Sequence, residues 1–225
     1  MNKKGFLIVV DGLDGSGKST QVKLLGSRLA DAGYNVRQIE FPTYTKSSAL
    51  IEMYLHGEFG NKPEDVSGYA ASVFYTVDRY ASFKKDWGED YNSGSVILTG
   101  RYTTSNAIHQ CSKLPREKWN EYLKWLEEFE YGIMGLPKPD AVIFLDMPPE
   151  YSEQLLNVRY NSDDGKKDIH EKDKDYLKRC YETAYAAAPK LNWTMVSCIK
   201  DGKIKNINEL NDEIFEMLKA VLENR

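Results

Sequence analysis

Short apolar runs alternate with longer amphipathic stretches along this chain. Residues 6–10 (FLIVV) open with a buried-strand pattern, and 36–41, 96–99, 141–145 and 193–196 repeat it. Apolar runs without strict alternation suit strands covered on both faces, as in a parallel sheet. Between them the pattern predicts helices over 18–32, 64–85, 116–130, 172–187 and 208–222. Strand and helix alternate, so the expected class is α/β, a doubly wound three-layer sandwich. One stretch breaks the rhythm: residues 161–174 (NSDDGKKDIHEKDK) hold no aromatic residue and one aliphatic, Ile169. It reads either as a solvated surface loop or as a lid over an active site.

Composition narrows the picture. A length of 225 residues fits one domain with extra segments, here taken as 1–225. Thirty Lys+Arg stand against 34 Asp+Glu, a net charge of -4, whereas a binder of nucleic-acid polymers would be basic. The three cysteines, Cys111, Cys180 and Cys198, are far apart and form no CxxC pair. That argues against disulfides or zinc and for a reducing, cytoplasmic setting. The apolar run near the N-terminus is five residues long, too short for a signal peptide, and nothing approaches a membrane span.

Residues 12–20 (GLDGSGKST) carry the strongest chemical signal. Gly12, Gly17, Lys18 and Ser19 fit G-x-x-x-x-G-K-[ST], after a strand pattern and before a helix pattern. Glycines let successive backbone N–H groups converge on one anion, and the helix N-terminus adds its positive end. The ATP-binding set is therefore Gly12, Gly15, Ser16, Gly17, Lys18, Ser19 and Thr20. Lys18 offers a charge to the β/γ-phosphates and Ser19 a hydroxyl to Mg²⁺. A GTPase would need a guanine-reading N-K-x-D after a late strand; Asn61-Lys62-Pro63-Glu64 comes early and ends in Glu. A small-molecule kinase fits the size.

Three further segments bear on the acceptor. Tyr75 and Arg79 lie four residues apart and share a helix face, suited to a base or equally to core packing and a surface ion pair. Residues 96–110 end a strand and deliver Arg101, Tyr102, Ser105 and Gln110 to the edge where open α/β sheets bind ligands. Arg101 could fork onto a phosphate or be a plain surface arginine. Residues 135–150 form a loop and strand ending in Asp146, and Arg159 stands just before the polar segment.

Taken in order, these motifs resemble the thymidylate kinase family over nearly the whole chain. The phosphate loop, Phe41-Pro42, the aromatic-x-x-D-R helix, RYxxS and Gln110, GLPKPD, the lid, RCYE and LNWTMV all occur in family sequence. The resemblance implies a P-loop NTPase sandwich with a five-stranded parallel sheet and a lid at about 159–174. It implies transfer of the ATP γ-phosphoryl group to dTMP with Mg²⁺, in a homodimer. Asp14 then matches the carboxylate at the sugar 3′-hydroxyl, Tyr75 the aromatic on thymine, and Arg79 the arginine at the thymine edge. Arg101 matches the arginine near the acceptor phosphate, and Ser105 and Gln110 match contacts to the base. Phe41 and Tyr102 belong to the same acceptor set. The catalytic set is Lys18, Arg101, Arg159 and Asp14. Because position 15 is Gly15, family logic assigns positive charge to the lid, through Arg159, Lys166 and Lys167.

The departures are as specific. The family's D-R-Y is Gly100-Arg101-Tyr102 here, which removes an acid that helps place Mg²⁺; Asp11 is the substitute expected from sequence. Lys46 or Tyr44 replaces an acceptor-phosphate arginine. Adenine is expected near 198–202. The alternatives are a kinase for another nucleoside monophosphate, or a nucleotide binder with little catalysis.

Overall fold

The computed structural model describes residues 4–160 and 169–223, except for the Arg159 side chain. Five parallel strands form the central sheet in the order β2-β3-β1-β4-β5. They are β1 (Phe6–Gly12), β2 (Val36–Ile39), β3 (Val96–Thr99), β4 (Ala141–Asp146) and β5 (Thr194–Ser197). Side chains alternate across the sheet, so β1 feeds two cores. Leu7 and Val9 pack with Ile97, Phe144, Tyr176 and Trp193; Ile8 and Val10 pack with Leu25, Leu29, Leu145 and Ile214. Burial on both faces is why the strand sequences are continuously apolar.

The longer helices are α1 (Lys18–Asp31), α2 (Ala49–Leu55), α3 (Gly68–Ser82) and α6 (Trp119–Glu127). Short α4 (Gly88–Asn92) and α5 (Thr103–Ser105) flank β3. After β4 come α7 (Pro149–Arg159), α8 (Ile169–Lys172), α9 (Lys174–Ala187) and α10 (Ile207–Glu223). A small hairpin, β6 (Ile199–Lys200) with β7 (Lys203–Ile204), precedes α10. Among the described residues no helix is long and apolar enough to cross a membrane. The free cysteines Cys111, Cys180 and Cys198 are all buried.

The predicted strands and five predicted helices are present, with shifted ends. Strand β2 stops at Ile39, just short of Phe41-Pro42, where proline has no N–H for a ladder. Helix α3 starts at Gly68 because the Ser67 hydroxyl accepts from the Ala70 N–H at 3.2 Å and caps it. Helices α2 and α7 were not expected. Part of the polar segment is also ordered differently from a solvated loop. Residues 169–172 form a helical turn that buries His170. Residues 161–168, including Lys166 and Lys167, lie outside the described residues.

Candidate active site

The phosphate loop links β1 to α1 at the carboxyl edge of the sheet. Gly17 (φ +86°) takes the left-handed conformation that caps α1. Gly15 (φ +80°) is needed twice over, for its backbone and for space. A Cβ there would stand 2.6 Å from the Ser152 carbonyl oxygen of α7. An arginine at position 15 would thus displace α7. The Lys18 ammonium donates to the carbonyls of Gly12 (2.8 Å) and Leu13 (2.7 Å), and lies 3.8 Å from the Asp14 carboxylate. The Ser16 hydroxyl is buried and unpaired among the described residues. A buried unpaired polar atom at a helix N-terminus is what an anion site leaves for its ligand to satisfy. A cavity of about 1160 Å³ runs along residues 15–20 to Ile204, Lys205, Ile207 and Leu210.

A second cavity lies beside the loop. Asp14, Phe41, Tyr75, Arg79, Arg101, Tyr102, Ser105 and Gln110 all line it. Two guanidiniums shape it in different ways. Arg101 pairs with Asp14 through Nη2 and donates through Nη1 toward His109 Nε2 (3.3 Å) and the Ser105 hydroxyl (3.5 Å). Burial would raise the Asp14 carboxyl, but Arg101 and Lys18 outweigh it and hold the group well below the usual carboxylate range. Arg79 is 2% exposed. It donates through Nε (2.8 Å) and Nη2 (2.5 Å) to Glu130, and Nη1 lies 3.4 Å from the Tyr102 carbonyl. Glu130 also accepts from Thr76, Thr103 and Asn106 at 3.0, 2.6 and 3.0 Å, so this buried carboxylate is fully engaged. Gln110 keeps a buried, unpaired Oε1 among the described residues. The loop after Phe41-Pro42 is fixed by Asp78, which accepts from the Thr43 N–H (2.8 Å), the Thr43 hydroxyl (2.5 Å) and the Ser47 hydroxyl (2.6 Å).

Comparison with known proteins shows the family. The thymidylate kinase family pattern matches residues 10–210. A thymidylate kinase of Mycobacterium tuberculosis is 30% identical over 179 residues, which span 77% of this chain and 81% of that protein. The chain belongs to the thymidylate kinase family. It is an ATP:dTMP phosphotransferase, giving dTDP and ADP. A thymidylate kinase of Plasmodium falciparum is 29% identical over 98% of this chain and 93% of its own length. A solved thymidylate kinase from Candida albicans superposes with a TM-score of 0.70 at 23% identity. That match covers 96% of this chain and 92% of that one, and shows the shared fold.

The structure places the expected residues unequally. Gly15, Ser16, Gly17, Lys18, Ser19 and Thr20 line the larger cavity; Gly12 packs behind it, against Leu145. Asp11 departs from expectation. It is 0% exposed, and its carboxylate accepts from the Gly12 N–H and from the Thr104 and Ser105 hydroxyls at 2.8, 2.5 and 2.7 Å. Those bonds engage both oxygens, and Asp11 lines neither of the cavities that Ser19 lines. Tyr44, at φ +50°, lines both cavities, whereas Lys46 lines neither. The larger cavity is walled by 204–210 rather than by 198–202. The backbone of Arg159 ends α7. Asn106, His109 and His170 line the second cavity without having been expected there, and Glu130 stands behind it. Asn106 and His109 were within reach of sequence reasoning, since they lie between Ser105 and Gln110. His170 was not, because its contacts are with distant elements.

Proposed function

We propose that the two cavities are the donor and acceptor halves of one phosphoryl-transfer site. The observation that supports this is that they share Asp14 and Arg101 as a common wall. ATP lies with its phosphates along residues 15–20 and its adenine toward 204–210. Lys18 moves its charge onto the donor phosphates. dTMP enters the other half, with thymine between Phe41 and Tyr75 and its edge toward Arg79 and Gln110. Glu130 holds the Arg79 fork rigid, so that recognition costs little ordering. Asp14 faces the sugar and Arg101 the acceptor phosphate, with Tyr102 and Ser105 backing them. The acceptor phosphate is anionic at neutral pH, so the residues position and neutralise rather than remove a proton. Arg159, Lys166 and Lys167 are the lid cations.

The donor set suits Mg²⁺, because Ser19 lies in the first turn of α1 beside the phosphate loop and offers a hard oxygen ligand. Bound there with ATP, the metal would neutralise charge on the β- and γ-phosphates. We read the chain as one cytoplasmic kinase domain working as a homodimer. Val73, Val77 and Tyr80 support the dimer: they recur on one face of α3 and are 38%, 45% and 37% exposed. The deciding experiment is Lys18→Ala with a panel of dTMP, dUMP, dCMP and dGMP. Expected are dTMP as the preferred acceptor and a loss of turnover of roughly 100-fold or more in the variant. Undiminished turnover would sink the assignment of Lys18.

A further inference from the structure

Ser19 has a second cavity at its side. It measures about 260 Å³ and is walled by Lys18, Ser19, Val22, Glu40, Gly100 and Arg101, among others. Gly100 is the point where a phosphate-loop enzyme commonly carries a strand-end acid near its metal. Nothing in the backbone demands glycine there. Its φ is not positive, and an added Cβ would meet Val22 at 3.6 Å and Lys18 at 3.8 Å, ordinary contacts. The missing side chain is a loss of chemistry without a structural gain.

Four acids line this cavity or the donor cavity: Asp14, Glu40, Glu52 and Glu171. Asp14 is paired with Arg101 and lies near Lys18. Glu52 accepts from the Ser48 hydroxyl at 3.4 Å, and Glu171 accepts from the Tyr160 hydroxyl on both oxygens at 3.1 Å. Glu40 makes no hydrogen bond or ion pair with the described residues, and it is the acid that shares the smaller cavity with Ser19 and Gly100. The sheet puts it there. Strands β2 and β3 are paired in parallel with Ile39 opposite Thr99, so the next residues, Glu40 and Gly100, leave the sheet side by side.

We propose that Glu40 is the metal-positioning acid of this kinase, supplying from β2 the carboxylate that position 100 lacks on β3. Neighbouring strands lie about 4.8 Å apart, more than the extra methylene of Glu can span. Glu40 therefore acts through water, and Mg²⁺ usually retains several of its waters. The inference rests on Ser19 as the direct ligand.

The test is Mn²⁺ binding, read by electron paramagnetic resonance, to the full chain loaded with a non-hydrolysable ATP analogue. Glu40→Gln is expected to weaken Mn²⁺ about tenfold, the low end for residues that orient a metal's ligands. Analogue affinity in EDTA should stay unchanged, and Gly100→Asp in the Glu40→Gln background should restore Mn²⁺ binding. Wild-type Mn²⁺ affinity in Glu40→Gln overturns the proposal. Ser19→Ala separates the two readings: if it too binds Mn²⁺ like wild type, the Ser19 assignment fails as well. A thermal melt of Glu40→Gln matching wild type is expected, because the residue is exposed; a lowered melt accompanied by weaker analogue binding in EDTA would mean a structural role and also overturn the idea.

Discussion

Glu130 is an acid where the helix pattern asks for an apolar side chain. It continues the buried positions Tyr122, Leu123 and Leu126 of α6 and is 0% exposed. A buried carboxylate is tolerated when paired and hydrogen-bonded, and here Arg79 supplies the charge and three polar side chains the remaining bonds. Burial alone would lower the Arg79 pKa, but Glu130 outweighs it and raises the value. Removing the acid strands a buried guanidinium at the acceptor cavity. Glu130→Ala is expected to cost about 3–5 kcal/mol of stability in denaturant titration. It should also raise KM for dTMP more than KM for ATP, because Arg79 faces only the acceptor half. Equal effects on the two substrates would contradict that role. In the sequence this acid was visible as a break in helical periodicity, but its partner, 51 residues earlier, was not.

At the scale of elements, the wall of the proposed acceptor cavity is built where helices are not regular. Residues Asn106–Gln110 form a π-helical turn, as do Glu128–Ile133, and such turns re-aim side chains without ending the helix. The first presents Asn106, His109 and Gln110 to the cavity. Against it, α8 stacks His170 on His109, with ring centroids 5.7 Å apart. The groups facing this pair are Arg101, Asp14, Tyr54, Lys113, Tyr176 and Cys180. His170 Nε2 lies 2.7 Å from the Tyr54 hydroxyl, which accepts from Lys113 at 2.6 Å. His109 Nδ1 lies 3.5 Å from the Cys180 sulfur. Burial, with Arg101 adding repulsion, lowers the His109 pKa to about 4; burial lowers that of His170 as well. Burial also brings the Lys113 pKa down to about 7.

The sign of the pH effect follows. An unfolded histidine takes up its proton near pH 6.5, whereas folded His109 does so only near 4. Between those values the unfolded state binds more protons, so stability drops as pH falls, by up to about 1.4 kcal/mol per unit for each such imidazole. The melting temperature is expected to decline from pH 6.5 to 4, and His109→Asn should reduce that slope. An unaltered slope in the variant would exclude His109 as a source. None of this was legible in the polar stretch 161–174, because His170 packs on Tyr54 of α2 and on His109, both far away in the chain.

At the scale of the molecule, the sheet order decides where chemistry occurs. Strand β1 lies between β3 and β4, so the phosphate loop emerges at the point where the connections diverge, the common binding crevice of open α/β sheets. Helix α3 sits outside this sheet and carries its apolar stripe outward. The proposed dimer gives a direct expectation: light scattering should report twice the chain mass for wild type and a single chain for Val77→Lys. A wild-type monomer at micromolar concentration would dismiss the dimer.

Local pattern by itself determined the strands, the longer helices and the phosphate loop, because each depends on residues close together in the chain. Continuous apolar runs need only two-sided cover, and a glycine-rich turn before a helix needs only its own backbone. The order of its motifs also singled out residues, from Asp14 to Gln110, that the fold gathers around one cavity. Tertiary structure decided what depends on through-space pairing: Glu130 behind Arg79, His170 on His109, the inward turn of Asp11, and Glu40 beside Gly100. Those residues come from distant segments, and their protonation, reach and exposure are set by partners that only the packed sheet and helices bring together.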